Sequence, residues 1–256
     1  MCETCGCEAA GHSHGRRART ILLGERILAK NDRLAEENRR QLAARRVRMV
    51  NVMSSPGSGK TTLLERAVRE LGPELPLAVI EGDQATALDA ERIRAVGGRA
   101  VQINTGAGCH LDAAMLASAL DRLAPPPGGL VLVENVGNLV CPALFDLGQR
   151  ATMVLASVTE GADKPLKYPT MFRAADLVVL NKADLLPHVE FRVEEFFDNV
   201  RAVRPEAGLM LVSAATGEGV EAWFGWLRAL RVAPAEPAPG PASSAAPAAR
   251  VSDSPV

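Results

Sequence analysis

An α/β fold, with a mostly parallel sheet covered by helices on both faces, is what this sequence predicts, and three features predict it. From Val47 onward, short and almost wholly apolar runs alternate with stretches of helical periodicity. The first of these runs leads straight into a Gly-Ser loop ending in Lys-Thr-Thr, which opens a helical stretch. Several polar clusters each close an apolar run, as expected when ligand-binding loops lie at the carboxyl ends of parallel strands.

With 256 residues, 47% of them hydrophobic and 23% charged, the chain has the composition of an ordinary globular protein with one substantial core. A formal net charge of -1 gives no reason to expect a nucleic-acid partner or an anionic membrane surface. No stretch approaches the roughly 20 apolar residues that span a bilayer. The first residues, rich in Cys, Gly, His and Arg, lack the apolar core of a signal peptide, so a cytoplasmic location is expected. There an odd count of five cysteines suits metal ligation or buried thiols better than disulfides.

Taken in order, residues 1–18 (MCETCGCEAAGHSHGRRA) show no hydrophobic periodicity and read as a flexible Cys/His arm. Residues 19–46 place Ile21, Ile27, Leu28, Leu34 and Leu42 among charges and read as an amphipathic helical segment of one or two helices, Asn31 and Asp32 being where a turn could divide them. Arg39, Arg40, Arg45 and Arg46 follow Glu36 and Glu37 and fit an exposed helical face. The domain at 47–231 offers strands in VRMVNVMS, LAVIEGD, RAVQIN, GLVLVENV, TMVLASVT, LVVLNKAD and LMLVSA. Between them LLERAVREL, ALDAERIRAV, HLDAAMLASALDRL, VEEFFDNVRAV and the closing VEAWFGWLRAL supply helices. Residues 232–256, a mixture of Pro, Ala and Ser, read as a disordered tail.

The loop Ser54-Ser55-Pro56-Gly57-Ser58-Gly59-Lys60-Thr61-Thr62 has the strand–loop–helix context of a P-loop. Its glycines let the backbone N–H groups curl around phosphates, so Gly57, Ser58, Gly59 and Thr62 are nucleotide-binding candidates. Lys60 is placed to reach the β- and γ-phosphates, and Thr61 to coordinate Mg²⁺ through its hydroxyl. Ser54 stands where the general motif has its first glycine. Farther on, Asn181-Lys182-Ala183-Asp184 closes an apolar run in the order by which GTPases read guanine. A carboxylate at Asp184 accepts from guanine N1–H and the exocyclic amine. Adenine lacks that pair of donors, and such a site rejects an unmatched analogue by about 10⁴-fold. Ser213 and Ala214 end another strand and resemble the loop that supports the base. GTP is therefore expected rather than ATP.

Asp83 and Glu134 finish apolar runs and are candidate Mg²⁺ ligands, since hard oxygens suit that ion. Asp83 also fits a local helix cap. Glu134-Asn135-Val136-Gly137 resembles the D-x-x-G switch with Glu in place of Asp, where the Gly137 N–H senses the terminal phosphate. With no glutamine just after Gly137 and no arginine that can be nominated as a finger, hydrolysis is expected to be slow, on the order of 10⁻⁴ s⁻¹.

Cys2, Cys5 and Cys7 form C-x-x-C-x-C, a cluster whose thiolates can converge on Ni²⁺, Zn²⁺ or Cu⁺. The α-amino group, a backbone amide, His12 and His14 remain open as a fourth donor. Cys109 and His110 follow one strand and Cys141 follows Glu134 by seven residues, so soft donors lie on two loops at the ligand-bearing end. Three donors leave a four-coordinate site open, and a second subunit could complete it.

These motifs resemble the hydrogenase nickel-incorporation GTPase family, HypB, from residue 1 to about 230. The resemblance is carried by MCETCGC, NVMSSPGSGKTTLLE, VIEGDQAT, NTGAGCHLD, VLVENVGNLVCP, EGADKPLKYP, LVVLNKADLLP and VSAATGEG. It implies a SIMIBI-type G domain, GTP-dependent dimerisation, a nickel site on the Cys-rich arm and a second Ni²⁺ or Zn²⁺ site at Cys109, His110 and Cys141. It also implies nickel delivery, with a HypA-type accessory protein, to the large subunit of [NiFe] hydrogenase. Ser54 fits the family pattern. ENVGNLVCP and the Cys-rich arm argue against the related urease and cobalamin GTPases. A nucleotide-independent metal buffer is the alternative from another class.

Overall fold

The structure, a computed structural model, describes residues 11–83 and 88–232, with side chains described for 25–83 and 88–231. Cys2, Cys5 and Cys7 and the tail from 233 lie outside the described residues. The apolar runs of the sequence form seven strands: β1 Arg48–Ser54, β2 Leu77–Asp83, β3 Arg99–Asn104, β4 Leu130–Glu134, β5 Ala151–Ser157, β6 Leu177–Asn181 and β7 Gly208–Leu211. They pair in the order β3-β2-β4-β1-β5-β6-β7, and every pairing is parallel. Because β4 and β5 flank β1 on opposite sides, the chain leaves β1 at a topological switch point, where a crevice opens above the carboxyl ends of the strands.

The helices are α1 Gly11–Ala44, α2 Lys60–Glu70, α3 Leu88–Ala95, α4 Ala113–Leu123, α5 Lys164–Lys167, α6 Pro169–Arg173, α7 Val193–Val203 and α8 Val220–Val232. Both faces of the sheet are apolar, which explains why the strand runs show no alternation. On one face Val50, Val52, Val79 and Leu132 pack with Leu63 and Leu64 of α2, Ile93 of α3 and Trp223 and Phe224 of α8. The other face has two centres. Met49, Ile80 and Val133 meet Leu42 of α1 and Leu116 and Leu120 of α4. Val154, Val178 and Leu180 meet Phe172 of α6 and Phe196 and Val200 of α7.

The N-terminal segment departs from the expected organisation. Of the one or two helices that the sequence allows, the structure has one: α1 runs through Asn31 and Asp32 without a turn. Asparagine favours caps and turns when its amide competes for local backbone groups. Here that amide is spent elsewhere: Asn31 Nδ2 donates to the Asp146 carbonyl at 2.8 Å and its Oδ1 accepts from the Ala113 N–H at 2.9 Å. The helix also begins at Gly11, so it takes in residues 11–18, which composition had placed in the arm. Once a helix is nucleated against a domain, adding residues fixes little further entropy per hydrogen bond. The short helices α5 and α6, in EGADKPLKYPTMF, have no periodic signal and went unanticipated.

Candidate nucleotide and metal sites

The phosphate loop joins β1 to α2 with Gly57 at φ +74° and Gly59 at φ +94°, conformations an L side chain rarely adopts. Gly59 is doubly constrained, since a Cβ there would come within 2.5 Å of Asn181 Nδ2. An open cavity of about 440 Å³ lies above the loop, lined by Gly57, Lys60, Thr61, Asp83, Glu134 and Gly137 among others. The expected phosphate-end residues are thus brought together from three separate strand ends. Lys60, 8% exposed, donates through Nζ to Ser54 Oγ at 2.8 Å and lies 3.9 Å from Glu134. Ser54 therefore has a role a glycine could not fill: its hydroxyl holds the ammonium group at the floor of the cavity.

The Thr61 hydroxyl lies 3.1 and 3.2 Å from the two Glu134 carboxylate oxygens. With Asp83 lining the same cavity, the donors are a hydroxyl and two carboxylates, a set that fits Mg²⁺. Gly137 is pressed against the loop, where a Cβ would meet Pro56 at 3.1 to 3.2 Å.

One buried acid was missed. Glu81 of β2 pairs in register with Glu134 of β4, and both are almost fully buried. Burial first, and then the carboxylate of Glu134, push the Glu81 carboxyl up to about 11. Burial also raises Glu134, opposed by the Lys60 charge. The signal was a charged residue inside the otherwise apolar run LAVIEGD.

The residues expected to read the base are interlocked with the phosphate loop. Asn181 Nδ2 donates to the Ser58 carbonyl at 2.9 Å, and its Oδ1 accepts from the Ala214 N–H at 3.0 Å. Asp184 Oδ1 accepts from the Ser213 hydroxyl at 2.5 Å. Lys182 sits between them at φ +64°, a left-handed conformation that re-aims the chain after β6. Arg66 of α2, which the motifs do not mark, donates Nε to the Ala214 carbonyl and a terminal nitrogen to the Ala215 carbonyl, each at 2.9 Å. Its fork fixes two successive peptides of the base-supporting loop.

The second donor group also converges. Cys109, His110 and Cys141 place one ligand atom each within 4.8 Å of one another, with Cys109 Sγ 3.7 Å from His110 Nδ1. The His110 ring stacks on Phe145 at 3.8 Å between centroids and 19° between planes. Burial holds the imidazole below its ordinary pKa, so it favours the neutral form that offers a lone pair. The hydrogen bond with Cys109, and then burial, raise the Cys141 thiol. Two soft sulfurs and an imidazole suit Ni²⁺ or Zn²⁺.

The family model described as CobW/HypB/UreG, nucleotide-binding domain, matches residues 48–210. The hydrogenase maturation factor HypB of Escherichia coli strain K12 is 53% identical over 227 residues, which cover 88% of this chain and 78% of that protein. The crystal structure of HypB from Archaeoglobus fulgidus superposes with a TM-score of 0.75 at 42% identity, over 80% of this chain and all 100% of that one. The structure of HypB from Helicobacter pylori in complex with nickel has a TM-score of 0.75 at 40% identity, over 79% of this chain and 95% of that one.

Proposed function

We propose, since the chain belongs to the CobW/HypB/UreG nucleotide-binding family and within it to the HypB hydrogenase maturation factors, that it is a GTPase whose nucleotide cycle controls the holding and release of nickel. The observation that carries this reading is the convergence of Cys109, His110 and Cys141 beside the Glu134–Gly137 segment, which also lines the phosphate cavity. Nickel is the cargo, and its recipient is the large subunit of [NiFe] hydrogenase, with a HypA-type protein as accessory partner. The nickel complex of the Helicobacter pylori relative supports the choice of metal. Zn²⁺ is the competing occupant of the same three donors.

Within the nucleotide site, Lys60 and the backbone of Gly57, Ser58 and Gly59 bind the phosphates, while Asn181, Lys182, Asp184, Ser213 and Ala214 hold and read guanine. Thr61, Asp83 and Glu134 would hold Mg²⁺, which neutralises charge on the β- and γ-phosphates. Gly137 senses the terminal phosphate. Turnover is slow because no glutamine follows Gly137 and no motif nominates an arginine as a finger, so hydrolysis serves as a timer. Val140 and Leu144, each 50% exposed, flank Cys141 and offer an apolar rim for a GTP-dependent dimer in which a second copy completes the coordination. The Cys2, Cys5 and Cys7 arm is a further nickel site. A cytoplasmic location fits the absence of any described helix long and apolar enough to cross a membrane.

The test is to measure Ni²⁺ and Zn²⁺ affinity of the full chain with a non-hydrolysable GTP analogue and with GDP, following mass by sedimentation. Coupling predicts different affinities and a larger species with the analogue. Equal affinities would make the protein a nucleotide-independent metal buffer.

A further inference from the structure

The phosphate cavity and the donor cluster are joined by a buried amide. Asn135, 1% exposed, follows Glu134 at the end of β4. Its Oδ1 accepts from the N–H of Leu111 at 3.3 Å and from its own neighbour Val136 at 2.9 Å. Its Nδ2 donates to Oδ1 of Asn51 on the central strand at 3.1 Å. Leu111 is the residue after His110 and is fully buried. Its side chain packs where Gly82 has no side chain, and a Cβ there would fall 2.8 Å from Leu111 Cδ1. Leu111 therefore touches both strand ends that present carboxylates to the cavity, beside Asp83 on one and beside Glu134 on the other.

The far ends of both donor segments are fixed. Asn38 of α1, 1% exposed, donates to the Ala113 carbonyl at 2.9 Å and the Leu147 carbonyl at 3.2 Å, and Asn31 holds the Ala113 N–H and the Asp146 carbonyl. Cys141 is further tied to the β5–β7 half of the molecule, because Leu139 and Ala143 pack against the cluster of Met171 and Phe172 and Pro142 is buried. The Cys109–Leu111 stretch runs from Thr105, whose N–H donates to the Asp83 carbonyl at 2.9 Å, to Ala113 at the start of α4, and it is held by the buried Leu111 side chain, the Leu111–Asn135 bond and the stacking of His110 on Phe145. Packed interiors shift between discrete arrangements and do not deform smoothly, so a displacement of Asn135 is carried to this stretch.

We propose that the Asn135 amide is the joint that relays the presence of the terminal phosphate to Cys109 and His110, making Asn135 the positioning residue of nucleotide-controlled nickel affinity. This rests on the coupling proposed above and names the residue that relays it. Asn135 lies in the cavity wall and acts on the donor cluster through its bond to Leu111. It transmits position, and linkage requires that nickel shift the GTP-analogue affinity by the same factor as the analogue shifts nickel.

The experiment uses the full chain with Cys2, Cys5 and Cys7 replaced by Ala, so that only the Cys109 and Cys141 thiols report. Ni²⁺ is titrated against a chelator, with Mg²⁺ and either a non-hydrolysable GTP analogue or GDP, and sulfur-to-nickel charge transfer is the signal. In the parent the two affinities should differ on the order of tenfold. In Asn135→Ala, with the analogue at saturating concentration, that ratio should fall to about one while the charge-transfer band persists. Asn51→Ala, which frees the amide from its strand anchor without altering the switch, should reduce the ratio and serves if Asn135→Ala does not fold. A parent ratio of one would remove the coupling reading itself. A parent ratio that survives in Asn135→Ala, or in Asn51→Ala when that variant alone folds, would leave coupling in place and overturn the role of Asn135.

Discussion

Asp184 is the single side chain to which the proposed function assigns the choice of nucleotide. Its position is set by Ser213 at 2.5 Å and by Asn181, which bridges the phosphate loop and Ala214. Asp184→Asn replaces an acceptor with a donor facing guanine N1–H, so GTP affinity should fall by about 10³-fold or more and preference should move toward xanthine nucleotides. Competition binding with GTP and xanthosine triphosphate checks this, and retained guanine preference would remove Asp184 from the base site. Arg66 acts one step back. Arg66→Ala should raise the KM for GTP about tenfold with a smaller change in kcat, because it releases the Ala214 and Ala215 peptides without touching the phosphate end. Arg66→Lys cannot restore both bonds, since an ammonium group lacks the planar fork.

At the scale of elements, α1 is joined to the domain through polar contacts as much as apolar ones. Leu42 enters the core, but Asn31, Asn38 and Arg39 supply the directional contacts, the last through Asp146 at 2.7 Å. Asn38→Ala strands the Ala113 and Leu147 carbonyls away from water and should cost about 1–3 kcal/mol. Because both donor loops lose their outer anchor together, nickel affinity should decline to a similar degree with GTP analogue and with GDP. Chemical denaturation and nickel titration check the two halves of that expectation. A loss confined to one nucleotide state would mean that α1 belongs to the moving part.

For the whole molecule, one face of the sheet depends on α8. Trp223 is fully buried against β1, β5 and β6 neighbours, with its indole N–H 3.1 Å from Met153 Sδ. Trp223→Ala should therefore destabilise the domain by about 3–5 kcal/mol and lower Tm on the order of 10 °C. Since α8 lies away from the phosphate cavity, nucleotide affinity below the transition should change little. Thermal unfolding with and without GDP separates the two effects.

Local chain chemistry by itself determined the sheet, the phosphate loop, the place of Asn181–Asp184 at a strand end and the three soft donors that converge. Each of those is encoded by neighbours along the chain: apolar runs long enough for a strand, glycines where φ must be positive, and polar residues that close a strand. Folding alone decided that Asn31 would sit within a helix, that Glu81 would face Glu134, that Arg66 would brace the base loop, and that Asn135 would meet Leu111. Those contacts join residues far apart in the chain, and their partners depend on strand order and register across a parallel sheet. Spacing cannot report such a contact, because its energy comes from a neighbour that exists only once the sheet has assembled.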